Sequence, residues 1–476
     1  MASLKSLSRK FTSAASATPF RLAVVGSGPA GFYTSHRLLK EWPNTQVDMY
    51  DSLPVPHGLV RFGVAPDHPE VKNVMTTFDK VAEDSRFHFL GNVTIGKTEG
   101  GLTVEELKSQ YDAVLFSYGA SEDRKLGIPN EDVWGVEAAS AFVGWYNGLP
   151  AYRDLALPLE DTDTAVVIGQ GNVALDVARI LLSPIDVLRK TDITEYALEA
   201  LSKSRIKHVH VVGRRGPLQA AFTSKELREQ MALPNVAFKA DHEFIKNEIT
   251  ESQAILSKNR PLKRLMGILE KGSPIQNAEK SWSLEFLKSP KEILTNQDRT
   301  AIHGIEYELN RLEGPLDQAR KAVGTGIFKR QECGMVLRSI GYKSVPIKGI
   351  PFDARQGRVP NRFGKVLESE TEVPGLYTAG WLKRGPTGVI VSTMQDAYET
   401  ADTIVDDLKN GKQMLDGANK EGAAGLEPLL KERGVRVVSF DDWKKIEAAE
   451  FAAGAKLGKP REKFSRVKDM LAVLDS

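Results

Sequence analysis

Two rhythms alternate along this chain: short β-branched apolar runs suited to buried strands, and longer stretches with helical spacing. Residues 21–25 (Arg-Leu-Ala-Val-Val) form the first run, and the stretch from Ala30 through Phe32, Leu38 and Leu39 to Trp42 follows at helical spacing. Residues 47–50 make the next run. The same strand, helix, strand order recurs at 164–168, 173–182 and 209–212, the helical stretch stopping before Pro184. Runs at 113–118, 336–340 and 376–379 each lead into a glycine, and the last is followed by a helical stretch from Val389 to Leu408. Alternation of this kind predicts an α/β chain made of two doubly wound, Rossmann-like units.

The junctions between these runs carry the chemistry. Gly26-Ser27-Gly28-Pro29-Ala30-Gly31 and Gly169-Gln170-Gly171-Asn172-Val173-Ala174 each lie between a strand and a helix. In such a loop the first glycine permits the turn, the second lets backbone amides approach a pyrophosphate, and the third lets helix and strand pack closely. Ala174 stands at the third position of the second loop, a replacement the pattern tolerates. The strand after each loop ends differently. Residues 47–50 run into Asp51, placed to accept from a ribose hydroxyl pair, whereas 209–212 run into Gly213-Arg214-Arg215-Gly216. Two guanidiniums suit the 2′-phosphate that a carboxylate would repel, so the second site is expected to prefer NADP over NAD. Two dinucleotide sites in series imply a path along which electrons pass from one to the other.

Composition limits where that path ends. The chain has 476 residues, 41% hydrophobic, enough for two or more domains, and no apolar run approaches the roughly 20 residues of a membrane span. Cys333 is its one cysteine. It can form neither an internal disulfide nor a dithiol centre nor a cysteine-ligated cluster, so an acceptor's redox centre must come from another protein. No resident metal is expected. Residues 1–40 contain no Asp or Glu, and Lys5, Arg9 and Lys10 are interspersed with Leu4, Leu7 and Phe11, as in a mitochondrial transit peptide, placed at 1–18. Losing those three cations takes the formal charge from +2 to −1, and nothing in that balance points to nucleic acid. Residues 256–271 pair an apolar face (Leu262, Leu265, Met266, Leu269) with Lys258, Arg260, Lys263, Arg264 and Lys271, a basic face suited to an acidic partner.

Longer strings carry a family resemblance. Residues 51–70, including His57-Gly58-Leu-Val-Arg61-Phe-Gly63 and Ala65-Pro66-Asp67-His68-Pro69, resemble the adrenodoxin reductases, mitochondrial ferredoxin-NADP reductases. So do 169–182, 213–217, 221–229, 339–343 and 380–390. The resemblance implies FAD at the first loop, NADPH at the second, and single electrons passed to an acidic [2Fe-2S] ferredoxin in the mitochondrial matrix. It implies a monomer and leaves peripheral contact with the inner membrane open. FAD contacts would come from Gly26, Gly28, Pro29, Ala30, Gly31, Asp51, Leu59, Val93, Trp381, Gly388, Val389 and Ile390. NADP contacts would come from Gly169, Gln170, Gly171, Asn172, Val173, Arg214, Arg215, Glu226 and again Gly388.

The same resemblance places Trp381, Asp176 and His68 near the flavin and its route to the partner, the histidine as a proton shuttle or a bridge to the ferredoxin. Related two-dinucleotide flavoproteins often carry an Asp where Trp381 stands. Ferredoxin contacts would be Arg228, Arg260 and Arg264. Strands at 113–118 and 336–340, each ending in glycine, look like two crossings between domains. They predict a discontinuous FAD domain, 19–120 and 343–476, with the NADP domain, 121–342, inserted. The charged tail beyond Gly411 suggests no chemistry.

Overall fold

The computed structural model describes residues 18–315, 320–388, 390–417 and 420–475, so the expected transit peptide lies almost wholly outside the described residues. The chain first builds β1 (Phe20–Val25), α1 (Pro29–Glu41), β2 (Thr45–Tyr50), β3 (Phe87–Leu90), α2 (Val104–Gln110) and β4 (Ala113–Phe116). It then forms a second set: β5 (Val136–Ala138), β6 (Thr164–Ile168), α3 (Asn172–Leu182), α4 (Glu195–Ser202), β7 (His208–Val212), α5 (Ser224–Met231) and β8 (Val236–Ala240). This set continues through α6 (Arg260–Lys271), β9 (Lys280–Glu285), β10 (Lys288–Thr295), β11 (Ile302–Glu313), β12 (Lys321–Glu332) and β13 (Met335–Arg338). Last come β14 (Asn361–Arg362), β15 (Lys365–Glu368), β16 (Thr371–Thr378), α7 (Ile390–Lys409), α8 (Ala423–Glu432) and α9 (Phe440–Lys456).

Three sheets organise these elements. The first has the order β14-β15-β16-β4-β1-β2-β3, the second β8-β9-β7-β6-β13-β5, and the third is the antiparallel β10-β11-β12. Within the first sheet β1 pairs in parallel with β2 and β4, and within the second β6 pairs in parallel with β7 and β13. The first sheet thus draws strands from both ends of the sequence. Strands covered on both faces read as continuous apolar runs, which is why 21–25 and 164–168 stand out in the sequence. Leu22 and Val24 face one side of the first sheet with Phe32 and Phe78, and Ala23 and Val25 face the other with Tyr111 and Phe116. Where the chain passes between the sheets, Glu122–Asp123 and Tyr342–Lys343 pair antiparallel, so outgoing and returning segments lie side by side.

The tail is structural. Arg433, which caps the end of α8, ion-pairs through Nη2 with Glu106 of α2 at 2.6 Å. Together with Thr103 at the helix cap, that guanidinium holds the Glu106 carboxyl down at about 2. A folded value below the unfolded one, roughly 4.3, stabilises the fold above that unfolded value and is lost as pH falls towards 2. Urea midpoints measured between pH 5 and 2.5 are therefore expected to fall less steeply in Glu106→Gln than in the parent, and equal slopes would contradict this.

From α9 onward the tail bridges both sheets. Arg61, after the first glycine loop, meets Glu450 of α9 with both side chains fully buried. Lys72 Nζ and Lys463 Nζ grip Asp192 from two sides, at 2.6 and 2.9 Å. Glu462 accepts from the Glu195 amide at the start of α4.

Candidate active site at the junction of the two sheets

Each glycine loop performs the turn its sequence promised. Gly26 has φ +103°, and a Cβ there would lie 2.6 Å from the Tyr118 Cα, while at Gly31 it would lie 2.5 Å from the Gly26 carbonyl. At Gly28 a Cβ would meet nothing within 4 Å, and no side chain caps the start of α1. The second loop repeats this arrangement. A Cβ on Gly169 (φ +129°) would stand 2.0 Å from the Ser339 carbonyl, Gly171 is open, and α3 starts without a side-chain cap. Ala174 is fully buried under the loop. Open second glycines at uncapped helix starts leave two amide cradles that fit two pyrophosphates.

The residues around the first cradle are fixed from behind. Asp51, just after β2, accepts from Ser27 N at 2.9 Å and Ser27 Oγ at 2.6 Å through one oxygen, and from Leu53 N through the other. Burial raises its pKa against those hydrogen bonds. Val93 is fully buried and donates its amide to the Asp51 carbonyl at 2.8 Å. Leu59 opens a one-turn helix and is 38% exposed. From the far end of the sequence, Gly380 (φ +72°) packs against Ala30, its Cβ direction pointing to within 2.5 Å of the Ala30 methyl. That contact sets Trp381, at the head of a one-turn helix, beside the start of α1. Gly388 is an exposed turn residue and Ile390 opens α7, which packs along α1. Val389 lies outside the described residues.

The second cradle has its own supports. The Gln170 side chain turns back to donate to Glu285 O at 3.0 Å, so only its backbone faces the loop's open side. Asn172 Oδ1 accepts from Thr223 N at 2.8 Å, Val173 is half-buried against the core, and Glu226 hydrogen-bonds the Thr223 hydroxyl. Arg214 follows β7 and is exposed, with half-buried Arg215 next to it.

Between the cradles a cluster draws on both sheets. Arg179 of α3 holds Asp67 at 2.6 Å and Asp176 at 2.7 Å, and His68 Nε2 meets Glu229 of α5 at 2.8 Å. Burial raises the Asp176 carboxyl, whereas Asp67, despite its own burial, is held low by the same guanidinium. Tyr342, on the returning crossing, packs against Trp381 with ring centroids 5.4 Å apart and lies within electrostatic reach of Asp176. The structure therefore ties Asp176 to the Asp67-His68 segment through Arg179, and sets Trp381 against Tyr342. Sequence reading assigned no role to Arg179, Glu229 or Tyr342. An arginine three residues after Asp176, one helical turn on, was the only local signal available.

The basic helix is shorter than expected. Residues 253–256 form a separate turn, Asn259 caps α6 by accepting from Leu262 N at 3.1 Å, and Lys258 lies before the cap. Leu265, Met266 and Leu269 face inward, while Arg260, Lys263, Arg264 and Lys271 are exposed. Helix α6 packs on α5, whose Arg228 is also exposed. Cys333 is buried, with its thiol pushed up to about 12.

Two nucleotide cradles meeting at an aromatic and acidic junction define a two-nucleotide oxidoreductase, and the family model of pyridine nucleotide-disulphide oxidoreductases matches residues 20–263. The NADPH:adrenodoxin oxidoreductase of Salvelinus fontinalis is 49% identical over 97% of this chain and 92% of its own length, and that of Bos taurus is 49% identical over 95% and 92%. The structure of Mycobacterium tuberculosis FprA in complex with NADPH superposes with a TM-score of 0.89 at 39% identity, covering 96% of this chain and all of that one. The chain belongs to the family of mitochondrial NADPH:adrenodoxin oxidoreductases, and is with it a flavoprotein oxidoreductase.

Proposed function

We propose that this protein takes electrons from NADPH at the Gly169 loop, holds FAD at the Gly26 loop, and hands single electrons to an acidic [2Fe-2S] ferredoxin in mitochondria. The observation that carries this reading is the junction itself, where Trp381, beside the Gly26 cradle, packs on Tyr342 of the returning crossing, and Arg179, on the helix that opens at the Gly169 cradle, holds both Asp67 and Asp176. Residues 19–120 and 343–476 would form the FAD part and 121–342 the NADP part, the chain crossing between them near the paired segments Glu122–Asp123 and Tyr342–Lys343.

When bound, the two dinucleotides supply the hydride exchange and the step down to single electrons. The chain's own residues position and insulate. Backbone amides at the starts of α1 and α3 receive the pyrophosphates, Asp51 receives the ribose of FAD, and Arg214 and Arg215 receive the 2′-phosphate of NADPH. Trp381 and Tyr342, packed on each other, would wall the junction and limit the entry of water there. The Arg179 guanidinium holds Asp67 and Asp176 in place, which ties α3 to the 67–70 segment.

Two ferredoxins must dock for every hydride taken, which favours fast, charge-steered encounters over tight binding. Arg228, Arg260 and Arg264 are the docking cations, and none of them has an ion-pair partner among the described residues. Reversing two of them, as Arg260→Glu/Arg264→Glu, is expected to lower kcat/KM for the ferredoxin about a hundredfold at low salt, the gap closing as salt rises. NADPH-dependent ferricyanide reduction should stay within about twofold. Equal loss of both activities would refute α6 as the docking face.

A further inference from the structure

The β10-β11-β12 sheet lies outside both doubly wound sheets, and neither cradle uses it. Its inner edge meets the arginine pair. Three consecutive carbonyls there are each tied down from the same side: Gly213 O by Lys288 N at 3.0 Å, Arg214 O by Asn310 Nδ2 at 2.9 Å, and Arg215 O by Leu287 N at 3.2 Å. Asn310 is 7% exposed and sits in β11, nearly a hundred residues beyond the loop it grips. Its amide also donates to Ser289 Oγ at 2.8 Å, and its backbone N–H donates to Leu287 O at 2.7 Å.

Leu287 itself has φ +58°, a left-handed conformation that a branched side chain rarely adopts. It persists because Arg215 O and Asn310 N hold the residue on both sides. The amide of Gly213 is fixed as well, to Glu285 O at 2.8 Å, and a Cβ there would come within 2.3 Å of the Gln170 side-chain oxygen. With every peptide plane from 213 to 215 set, the directions of the two arginine Cβ atoms are set too. Neither guanidinium has an ion-pair partner among the described residues, so the set backbone is what limits where the two side chains can reach.

We propose that Asn310, with the β10-β11 edge around it, is a positioning residue for NADPH selectivity: it holds the backbone that points Arg214 and Arg215 at the 2′-phosphate. The inference rests on assigning those two arginines to that phosphate. A side chain that reaches a ligand from a flexible exposed loop loses much of its binding energy to ordering, and a pre-set backbone removes that cost. The third sheet thereby acquires a role in choosing between NADPH and NADH.

The test compares the ratio of kcat/KM for NADPH over NADH in the flavin-loaded protein, with ferricyanide as acceptor. Asn310→Leu keeps the forked outline at the cost of some extra bulk and removes the donor, and Asn310→Ala leaves space for a water to serve the freed carbonyl. The ratio is expected to fall about tenfold in Asn310→Leu and less in Asn310→Ala, through KM for NADPH rather than kcat. Arg214→Ala and Arg215→Ala are measured in parallel. If they lose selectivity while both Asn310 variants keep it, the positioning role is overturned and the arginine assignment stands. If they keep it, the assignment itself falls, and the inference with it. Should Asn310→Leu not fold, Asn310→Ala decides alone, an unchanged ratio overturning the proposal.

Discussion

Gly169→Ala is expected to silence NADPH oxidation while leaving the flavin in place. The added methyl would lie 2.0 Å from the Ser339 carbonyl, at a backbone φ of +129° that side chains other than glycine rarely adopt. Neither obstacle relaxes easily. Ser339 N is itself bonded to Ile168 O at 2.7 Å, so β6 and the strand behind it would have to separate. A displacement near 1 Å at a reacting site costs about a hundredfold in rate, and a fall of at least that order is expected in NADPH-dependent ferricyanide reduction. The Gly26 cradle lies on the other sheet. Flavin content should match the parent, and protein reduced chemically with dithionite should still reduce ferredoxin. Retention of NADPH activity within a few-fold would contradict the assignment of the second loop.

The largest loss of stability is expected from Glu450→Ala. Arg61 and Glu450 are both fully buried, and Arg61 also stacks over the Trp443 ring at 5.0 Å. Removing the carboxylate strands the Arg61 guanidinium and takes one partner from Arg461 and an acceptor from Phe464 N. Breaking a buried pair from one side costs about 3–5 kcal/mol, far more than the net worth of the intact pair, because an uncompensated charge remains. A urea titration followed by tryptophan fluorescence reads this as a lower midpoint. A change below about 1 kcal/mol would show that the side chain escapes to water or that the pair is dispensable.

Local patterns made the two cradles legible. A glycine that needs positive φ, a β-branched run covered on both faces and an amphipathic period are each encoded within a few residues, so the strand, loop and helix order of both sites could be read directly. Asp51 and the Arg214-Arg215 pair could be read too, because each closely follows a strand. What the sequence hid was pairing at long range. Nothing near Asn310 signals that its amide reaches the Arg214 carbonyl. The tail beyond Gly411 read only as charged and without chemistry, yet Glu450, Arg461 and Lys463 are buried there, Glu450 against Arg61 and Lys463 against Asp192. A charge is buried only when its partner arrives with it, and the partners of these three lie up to 389 residues away. The junction was half legible: family resemblance singled out His68, Asp176 and Trp381, but Tyr342, though it lies in one of the resembling strings, carried no hint that its ring packs on Trp381.

The central claim is a direction of flow, from NADPH at the second cradle, through flavin at the first, to a separate iron-sulfur protein. One anaerobic titration tests it. NADPH is added to the yellow protein and the visible flavin absorbance followed, then cytochrome c is supplied with and without an acidic [2Fe-2S] ferredoxin. The expected result is bleaching by NADPH in clear preference to NADH, and cytochrome reduction only when the ferredoxin is present. Bleaching with no ferredoxin-dependent flow, or equal bleaching by NADH, would contradict it.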